Sequence, residues 1–263
     1  MFNSVITFIL TLYVFLVGVL GIYPSQGELQ QGVNVDPIPC VFDESIEGYR
    51  YLHGERELPF RLKAPESVDE NEEYPLIVFL HGSGERGNDN QCHVMRSLLK
   101  GVKNNGTPCY ILMPQLHSVG NWTDDDIDLA LTSLIDEYIL KDYPIDESRI
   151  YITGDSRGGA GTFDQVIRHE GKYAAAMPLC GYHETFYNGS DVYVKFKDIP
   201  MWLGHNLGDP IVSVSNSRGV YETVTAMGGE NIKYTEYKTI GHNCWDTFYE
   251  ESEVWEWLFK QSL

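Results

Sequence analysis

From residue 75 onward, apolar runs of strand length alternate with segments of helix length, and this alternation restricts the fold more than any other feature of the sequence. Residues 76–80 (LIVFL) are continuously apolar, which is typical of a strand covered on both faces. Strands that are joined through helices in this way run parallel. We therefore predict an α/β fold with a mostly parallel sheet of eight strands and helices on both faces.

The part of the chain before residue 75 has a different pattern. Residues 46–53 and 58–64 have the composition of strands and are joined by a short polar turn at residues 54–57, which predicts an antiparallel hairpin. No linker rich in Pro, Gly or Ser interrupts the chain of 263 residues, which is long enough for one domain with a large core. We predict that residues 28–263 form a single domain.

The first 27 residues contain no Lys, Arg, Asp or Glu, and residues 5–23 are almost entirely apolar. Small residues at Ser25 and Gly27 suit cleavage after residue 27, so we predict a secretory signal peptide over residues 1–27. The apolar run is also long enough for an uncleaved membrane anchor. In either case the rest of the chain is expected in an extracellular or lumenal space, and after cleavage we expect no membrane contact.

The chain has 38 acidic and 19 basic side chains, which give a formal net charge of −19. Such a surface argues against nucleic acid or anionic lipid as a partner and favours a neutral or weakly charged substrate. None of the five cysteines has Cys-x-x-Cys spacing, and no two histidines have the spacing of metal ligands. A structural zinc is therefore not expected. We also expect that the protein needs no metal and no cofactor, and that it is a monomer.

Residues 154–158 read Gly-Asp-Ser-Arg-Gly, between a strand-like run at residues 150–153 and a helix-like run at residues 160–169. Gly-x-Ser-x-Gly between a strand and a helix is typical of a nucleophile elbow, in which a strained serine projects its hydroxyl from the edge of a sheet. The glycines let neighbouring backbone pass without a clash with a Cβ atom. The start of the helix offers free N–H groups to an oxyanion. We predict that Ser156 is a nucleophile.

A serine nucleophile needs a general base, and the base needs an orienting carboxylate. In parallel sheets, catalytic groups gather at the carboxyl ends of the strands. His242 follows the last predicted strand, and Asp209 follows the strand before it. Their chain order predicts a catalytic triad of Ser156, Asp209 and His242. The glycine-rich stretch at residues 81–87 also follows a buried strand, which suggests an oxyanion loop that faces the N–H group of Arg157.

Four segments of the chain together resemble a family of secreted esterases with the α/β-hydrolase fold. They read YPLIVFLHGSGERG, RIYITGDSRGGAGTF, IPMWLGHNLGDPIVSVSNSR and TEYKTIGHNCWDTFYE. The family includes feruloyl esterases, acetyl xylan esterases and polyhydroxybutyrate depolymerase-like proteins, and related members are described as predicted peptidases of the prolyl oligopeptidase type. The resemblance covers roughly residues 45–260. It implies the triad above, and it implies that the backbone N–H groups of Ser83 and Arg157 bind the oxyanion.

Two residues depart from the pattern of that family. Arg157 stands where the family usually has methionine, and Asn206 stands where it usually has glycine. The Arg157 side chain either packs outward against the acidic surface or, as the resemblance to glucuronoyl esterases implies, directs its guanidinium at the oxyanion or at a uronate carboxylate. Asn206 leaves the shape of the loop before Asp209 open.

Three residues are candidates for the wall of the substrate site, namely Gln115, Trp122 and Trp245. Tryptophan rings stack on sugar or phenolic rings, although packing in the core or at the rim explains both tryptophans equally well. Cys180 ends a strand near the site, and Cys244 lies two residues after the predicted base. A disulfide between these cysteines and a pair of buried thiols both fit the sequence.

The sequence as a whole predicts a secreted, extracellular serine hydrolase that cleaves carboxylic esters through an acyl-enzyme. We expect its substrates to be feruloyl or acetyl side groups of plant cell-wall polysaccharide. The part of the chain after the elbow has no insertion large enough for a lid domain, which suits an open cleft. A serine peptidase with the same triad and a binding module that kept the fold are the alternatives.

Overall fold

The apolar runs form one continuous sheet. The computed structural model describes residues 32–35, 40, 41, 43, 45–69, 71–183 and 190–263, and the predicted signal peptide lies outside them. The strands of this part of the chain are β1 (Gly32–Val35), β2 (Ile46–His53), β3 (Arg56–Lys63), β4 (Tyr74–Leu80), β5 (Tyr110–Pro114), β6 (Ile145–Asp155), β7 (Ala175–Leu179), β8 (Met201–Gly208) and β9 (Ile232–Ile240). They pair in the order β1-β2-β3-β5-β4-β6-β7-β8-β9.

The pairings from β5 through β4 to β9 are parallel, whereas β1, β2 and β3 extend the sheet beyond β5 in antiparallel pairs. The predicted mostly parallel sheet with an antiparallel N-terminal hairpin is therefore confirmed. The described residues contain one strand more than the eight predicted. The additional strand is β1, which pairs with β2 through backbone hydrogen bonds, and such bonds require no apolar pattern in the sequence.

Seven helices accompany the sheet in the described part of the chain. They are α1 (Arg96–Asn105), α2 (Asp125–Ser133), α3 (Arg157–Arg168), α4 (Ser190–Phe196), α5 (Ser215–Ala226), α6 (Trp245–Glu250) and α7 (Ser252–Leu258). The helix α2 continues through a π-helical segment, Leu134–Ile139, into a last turn, Leu140–Asp142. Short 3₁₀ and irregular segments connect the remaining elements.

Alternate residues of the central strands point into two separate cores. In β4, Leu76, Val78 and Leu80 belong to one buried cluster, whereas Ile77 and Phe79 belong to the other. The first cluster is closed by side chains of α2, α3, α4 and α5, and the second by side chains of α1, α6 and α7. Helices therefore cover both faces of the sheet, which explains why this strand is apolar throughout.

Residues from Gly32 to Leu263 form one compact unit. Every helix in the described residues is too short or too polar to cross a bilayer. All five cysteines are free thiols, and Cys180 and Cys244 are both buried. The structure therefore has two buried thiols at Cys180 and Cys244 and no disulfide between them.

Candidate active site

The strand, sharp turn and helix predicted around Ser156 are all present. The strand β6 ends at Asp155, the helix α3 begins at Arg157, and Ser156 between them has φ 53° and ψ −112°. A positive φ is costly for a residue with a Cβ atom, and strain of this kind is typical of a nucleophile elbow. The N–H group of Ser156 donates to the carbonyl oxygen of Leu179 (2.9 Å) at the end of β7. Ser156 is therefore fixed at the carboxyl edge of the sheet.

The elbow packs against backbone on two sides, where no side chain fits. A Cβ atom on Gly158 would overlap the carbonyl oxygen of Leu80, the last residue of β4. A Cβ atom on Gly159 would lie 2.6 Å from the carbonyl oxygen of Leu179, the last residue of β7. Because β4 and β7 flank β6 in the sheet, the first turn of α3 is held between the ends of two strands.

Asp209 and His242 meet at the same edge of the sheet, as the sequence predicted. The Nδ1 atom of His242 donates to Oδ2 of Asp209 (2.6 Å). The other carboxylate oxygen, Oδ1, accepts from the N–H groups of Ile211 (2.8 Å) and Val212 (3.0 Å). Partial burial acts to raise the pKa of Asp209, but these hydrogen bonds outweigh it and hold that pKa below its ordinary value. Asp209 is therefore an oriented anion.

His205 is a second histidine on the same carboxylate, and the sequence did not identify this contact. Its Nε2 atom lies 3.0 Å from the carbonyl oxygen of Val212 and 3.2 Å from Oδ2 of Asp209, and both of these oxygens can only accept. The proton is therefore on Nε2, and Nδ1 accepts from the hydroxyl of Ser217 (2.8 Å). Burial lowers the pKa of His205, which favours this neutral form. His205 thus adds another donor to Asp209.

Asn206 holds the loop that presents His242. Its buried Nδ2 group donates to the carbonyl oxygens of Gly241 (2.9 Å) and Asn243 (3.0 Å), the residues on either side of the histidine. Because one rigid amide fixes both flanking carbonyls, the backbone of His242 cannot rotate freely. Asn206, at which the sequence departs from the family pattern, therefore fixes the loop that carries the base. We call this contact the clamp by Asn206.

The Nδ1 atom of His242 is occupied by its bond to Asp209, so Nε2 has the lone pair that a general base needs. Nε2 is buried and has no hydrogen-bond partner among the described residues. The thiol of Cys180 lies near the N–H group of Ser156, and its sulfur is within 4.8 Å of a ligand atom of both Asp209 and His242. The three predicted triad residues therefore lie around one site. In substrate-free enzymes, the hydrogen bond from serine to histidine often tightens only when the substrate binds.

His81 fixes the backbone of the loop after β4. Its Nε2 atom accepts from the N–H group of Leu116 (2.9 Å), which leaves Nδ1–H to donate to the carbonyl oxygen of Gly82 (2.6 Å). Burial lowers the pKa of His81 to about 4, so the ring is neutral at physiological pH. The indole N–H of Trp122 donates to the carbonyl oxygen of His81 (2.9 Å). The loop is thus rigid before it reaches the predicted oxyanion donor.

Ser83 follows this rigid segment and opens a short 3₁₀ turn, Ser83–Glu85. Arg157 reaches over from the start of α3, and its Nε–H group donates to the hydroxyl of Ser83 (2.8 Å). The two residues predicted as oxyanion donors are therefore joined by their side chains. Neither alternative for the Arg157 side chain anticipated this placement between the loop and the elbow.

Two of the three residues predicted to line the substrate wall lie in the interior instead, so that prediction is wrong for them. Gln115 is fully buried because its amide accepts from the N–H group of Asn90 (2.7 Å) and donates to the carboxylate of Asp89 (2.8 Å). Trp122 is buried by its bond to the oxyanion loop. Trp245 is only partly buried and lines an open cleft of about 500 Å³. Its ring packs edge-on against His242, with 5.6 Å between the ring centroids.

Asp155, directly before the nucleophile, is a buried acid. Its Oδ1 atom has no hydrogen-bond partner among the described residues. A Cβ atom on Gly82 would lie 2.6 Å from Oδ2 of Asp155 and 3.1 Å from a carboxylate oxygen of Glu85, so the two acids are close. Burial, and then the charges of Glu85 and Asp246, raise the pKa of Asp155 well above its ordinary value. The site therefore favours the neutral, protonated acid.

We expect Asp155→Asn to raise the free energy of unfolding at pH 7 by about 1–3 kcal/mol. In the unfolded chain this carboxyl loses its proton near its ordinary pKa, whereas the folded protein retains the proton, so the wild type loses stability as the pH rises above about 4. The neutral amide removes this penalty, and the gain should shrink towards zero near pH 4. Urea unfolding at both pH values measures the difference. An equal gain from Asp198→Asn, at an exposed position, would contradict the prediction.

In both sequence and structure, the chain is similar to known esterases and thioesterases. The family described as Phospholipase/Carboxylesterase matches residues 121–253, which include all three predicted triad residues. Acyl-protein thioesterase 1 of Debaryomyces hansenii is 27% identical over 116 residues, which are 44% of this chain and 50% of that protein. A thermostable esterase of known structure is 34% identical, with a TM-score of 0.77 over 85% of this chain and 64% of that chain.

A ferulic acid esterase from Anaeromyces mucronatus, solved in complex with ferulic acid, is 15% identical, with a TM-score of 0.60 over 88% of this chain and 93% of that chain. At that identity the likeness shows the fold alone. The chain spans about half the length of the curated relatives that it matches.

Proposed function

This chain belongs to the phospholipase/carboxylesterase family, and on that premise we propose that it hydrolyses carboxylic esters with Ser156 as nucleophile, His242 as general base and Asp209 as orienting acid. The observation that supports this most strongly is a combination of two features. Ser156 is held in a strained backbone conformation at the carboxyl edge of the sheet, and the hydrogen-bonded pair of His242 and Asp209 lies at the same edge. Nucleophilic catalysis by serine needs these groups in this order.

In the first half of the reaction, Oγ of Ser156 attacks the carbonyl carbon of the ester, and Nε2 of His242 takes the hydroxyl proton. The bond to Asp209 stabilises the imidazolium that forms. The backbone N–H groups of Ser83 and Arg157 bind the oxyanion of the tetrahedral intermediate. Collapse of the intermediate breaks the bond between the carbonyl carbon and the alcohol oxygen. His242 returns the proton to the departing alcohol, and the acyl group stays on Ser156.

In the second half, His242 takes a proton from a water molecule while the water oxygen attacks the acyl carbonyl carbon. The second tetrahedral intermediate releases Oγ of Ser156, which recovers its proton from His242, and the carboxylic acid leaves. A thioester follows the same route with a thiol as the leaving group. The similarity to a protein named acyl-protein thioesterase supports the inclusion of thioesters as substrates.

The natural substrates proposed here are feruloyl or acetyl side groups of plant cell-wall polysaccharide, cleaved outside the cell. The partly exposed ring of Trp245 beside His242 supports this, because an aromatic surface next to the base can stack on a phenolic or sugar ring. The net charge of −19 disfavours anionic lipid as the substrate. The lack of charged residues in residues 1–27 and the apolar run at residues 5–23 support export.

We expect Ser156→Ala to lower ester hydrolysis by a factor of about 10⁴ or more, because the variant has no hydroxyl to form the acyl-enzyme. The assay uses 4-nitrophenyl acetate, 4-nitrophenyl butyrate, methyl ferulate, an acyl thioester and a peptide anilide. A fluorophosphonate probe should form a single adduct with the wild type and none with the variant. Ser118→Ala, at an exposed turn, is the matched control and should keep full activity.

The same assay separates the possible substrates. Preference for methyl ferulate would support an aromatic acyl pocket beside Trp245, and fast turnover of acetate with little of ferulate would support deacetylation. If the folded wild type forms no fluorophosphonate adduct and cleaves none of the esters, the proposed activity is wrong. Cleavage of the peptide anilide alone would replace it with a peptidase.

A further inference from the structure

The triad shares its space with a thiol that the proposed reaction does not use. Cys180 follows the last residue of β7 and is fully buried. Its sulfur, a carboxylate oxygen of Asp209 and a ring nitrogen of His242 all lie within 4.8 Å of one another. Among the described residues, this is the group of His, Cys, Asp and Glu side chains that could hold a metal ion.

The position of this thiol is fixed by the fold. Cys180 has a φ of 38°, and its N–H group donates to the carbonyl oxygen of Gly204 (2.8 Å) in β8. The thiol of Cys244, two residues after the base, points to the same carbonyl oxygen (3.5 Å). The backbone of Cys180 is therefore fixed next to the loop of His242, and its thiol contacts the thiol of Cys244 in the same buried space.

The three donor types match a soft or borderline divalent cation. Thiolate, imidazole and carboxylate are the ligands that Zn²⁺ prefers, and hard cations such as Mg²⁺ avoid thiolate. In a tetrahedral zinc site the ligand atoms are roughly 3–4 Å apart, so the sulfur of Cys180 needs to approach the other two groups by about 1 Å at most. Nδ1 of His242 and Oδ2 of Asp209, which are 2.6 Å apart, must separate slightly to admit the ion. Nδ1 of His242 faces Asp209, so an ion shared with that carboxylate takes the place of the Nδ1 proton. The ring proton then moves to Nε2, which has no hydrogen-bond partner among the described residues. The side chain of His242 is 19% exposed, which leaves an ion a route from solvent.

We propose that Cys180, His242 and Asp209 form an inhibitory site for soft divalent cations, with Zn²⁺ as the test ion. The thiol of Cys180 releases its proton to solvent when its sulfur binds the ion, and a ring nitrogen of the neutral imidazole donates its lone pair. Catalysis needs both nitrogens of His242, one to take the proton of Ser156 and one to bind Asp209. An ion on either nitrogen therefore stops the reaction. The inhibitory effect rests on the proposed function, whereas the binding site does not.

Binding is tested directly on the complete protein with Cd²⁺, whose bond to a thiolate produces an ultraviolet charge-transfer band. We expect the wild type to show this band at stoichiometric Cd²⁺ and Cys180→Ser to lose it. Calorimetric titration with Zn²⁺ should show a loss of affinity of at least about tenfold in Cys180→Ser, because a removed ligand costs no less than a removed supporting residue. The matched controls are Cys92→Ser, at an exposed thiol, and Cys109→Ser, at a buried thiol, and both should bind as the wild type does.

If Cys180→Ser does not fold, His242→Gln tests the same site from its partly exposed side and should also weaken the affinity for Zn²⁺. An unchanged cadmium band in Cys180→Ser, or unchanged zinc affinity in His242→Gln, overturns the site. In the ester assay, Zn²⁺ should inhibit the wild type, and Cys180→Ser should keep its activity and need at least about tenfold more Zn²⁺ for half-inhibition. Binding through Cys180 without inhibition of an active enzyme overturns the inhibitory role. If Zn²⁺ binds through Cys180 but the protein cleaves no ester, the metal site is retained and the proposed function is rejected.

Discussion

Asp209→Asn is expected to lower kcat about 10⁴-fold while the fold and KM change little. The reason is that the two oxygens of this carboxylate have different hydrogen-bond partners. Oδ1 accepts two backbone N–H groups, from Ile211 and Val212. In the variant, the amide oxygen must take this position, because an NH₂ group there would face two donors. The NH₂ group is then directed at Nδ1 of His242.

An amide donor at that position selects the wrong tautomer of the base. Nδ1 of His242 has to accept from the NH₂ group, so the ring proton moves to Nε2, and Nε2 can no longer take the proton of Ser156. The Nε2–H group of His205 then loses Oδ2 of Asp209 as an acceptor but keeps the carbonyl oxygen of Val212 (3.0 Å). In the variant, the triad residues therefore keep their positions, but His242 is held in the inactive tautomer.

The measurement is the kcat and KM of ester hydrolysis, together with thermal unfolding of both proteins. Asp146→Asn is the matched control, because Asp146 also accepts the N–H group of a residue two positions on, Ser148 (2.9 Å), and binds Arg149 (2.5 Å) through its other oxygen. That change should lower stability and leave kcat within about twofold of the wild type. A loss of less than about tenfold in kcat for a folded Asp209→Asn would show that Asp209 does not orient the base.

The sheet and the positions of the triad were predictable because both follow from burial. A strand covered by helices on both faces is apolar at every position, as residues 76–80 are, and parallel strands place their carboxyl ends at one edge. A polar residue just after any strand of the parallel sheet, including the less buried edge strand β9, is therefore placed near the others by topology alone. For Asp209 and His242, position in the chain was sufficient to predict that they meet.

The direction of a side chain after a strand was not predictable in this way. Gln115 follows β5 as Asp209 follows β8, yet it turns inward because Asp89 and Asn90, in an irregular loop, offer it polar partners. That loop has no apolar period from which its path could be derived. The clamp by Asn206 was missed for a related reason. Its partners are backbone carbonyls of another loop, and the sequence contains no signal for backbone groups.

The second large expected effect is on stability, and it concerns the close contacts between the elbow and neighbouring backbone. Gly158→Ala is expected to lower the free energy of unfolding by about 3–5 kcal/mol, or to prevent folding. The added methyl group would overlap the carbonyl oxygen of Leu80, and it would lie 2.9 Å from the carbonyl oxygen of His81. Neither atom belongs to a flexible side chain, because both are in the backbone that joins β4 to the oxyanion loop. The strand end and the helix must therefore separate, and the distance between Ser156 and the oxyanion donors increases with them.

Gly219→Ala is the matched control, since it is the same substitution in the interior of α5, where a Cβ atom would have no neighbour within 4 Å. There the change should stabilise the protein by up to about 1 kcal/mol, because alanine favours a helix more than glycine does. Urea unfolding of both variants measures the two changes, which are expected to have opposite signs. If Gly158→Ala unfolds at the same urea concentration as the wild type, the backbone contact between β4 and α3 is not as close as described. In a variant that is destabilised but still folded, kcat should also fall, because the oxyanion loop and the elbow are positioned by that same contact.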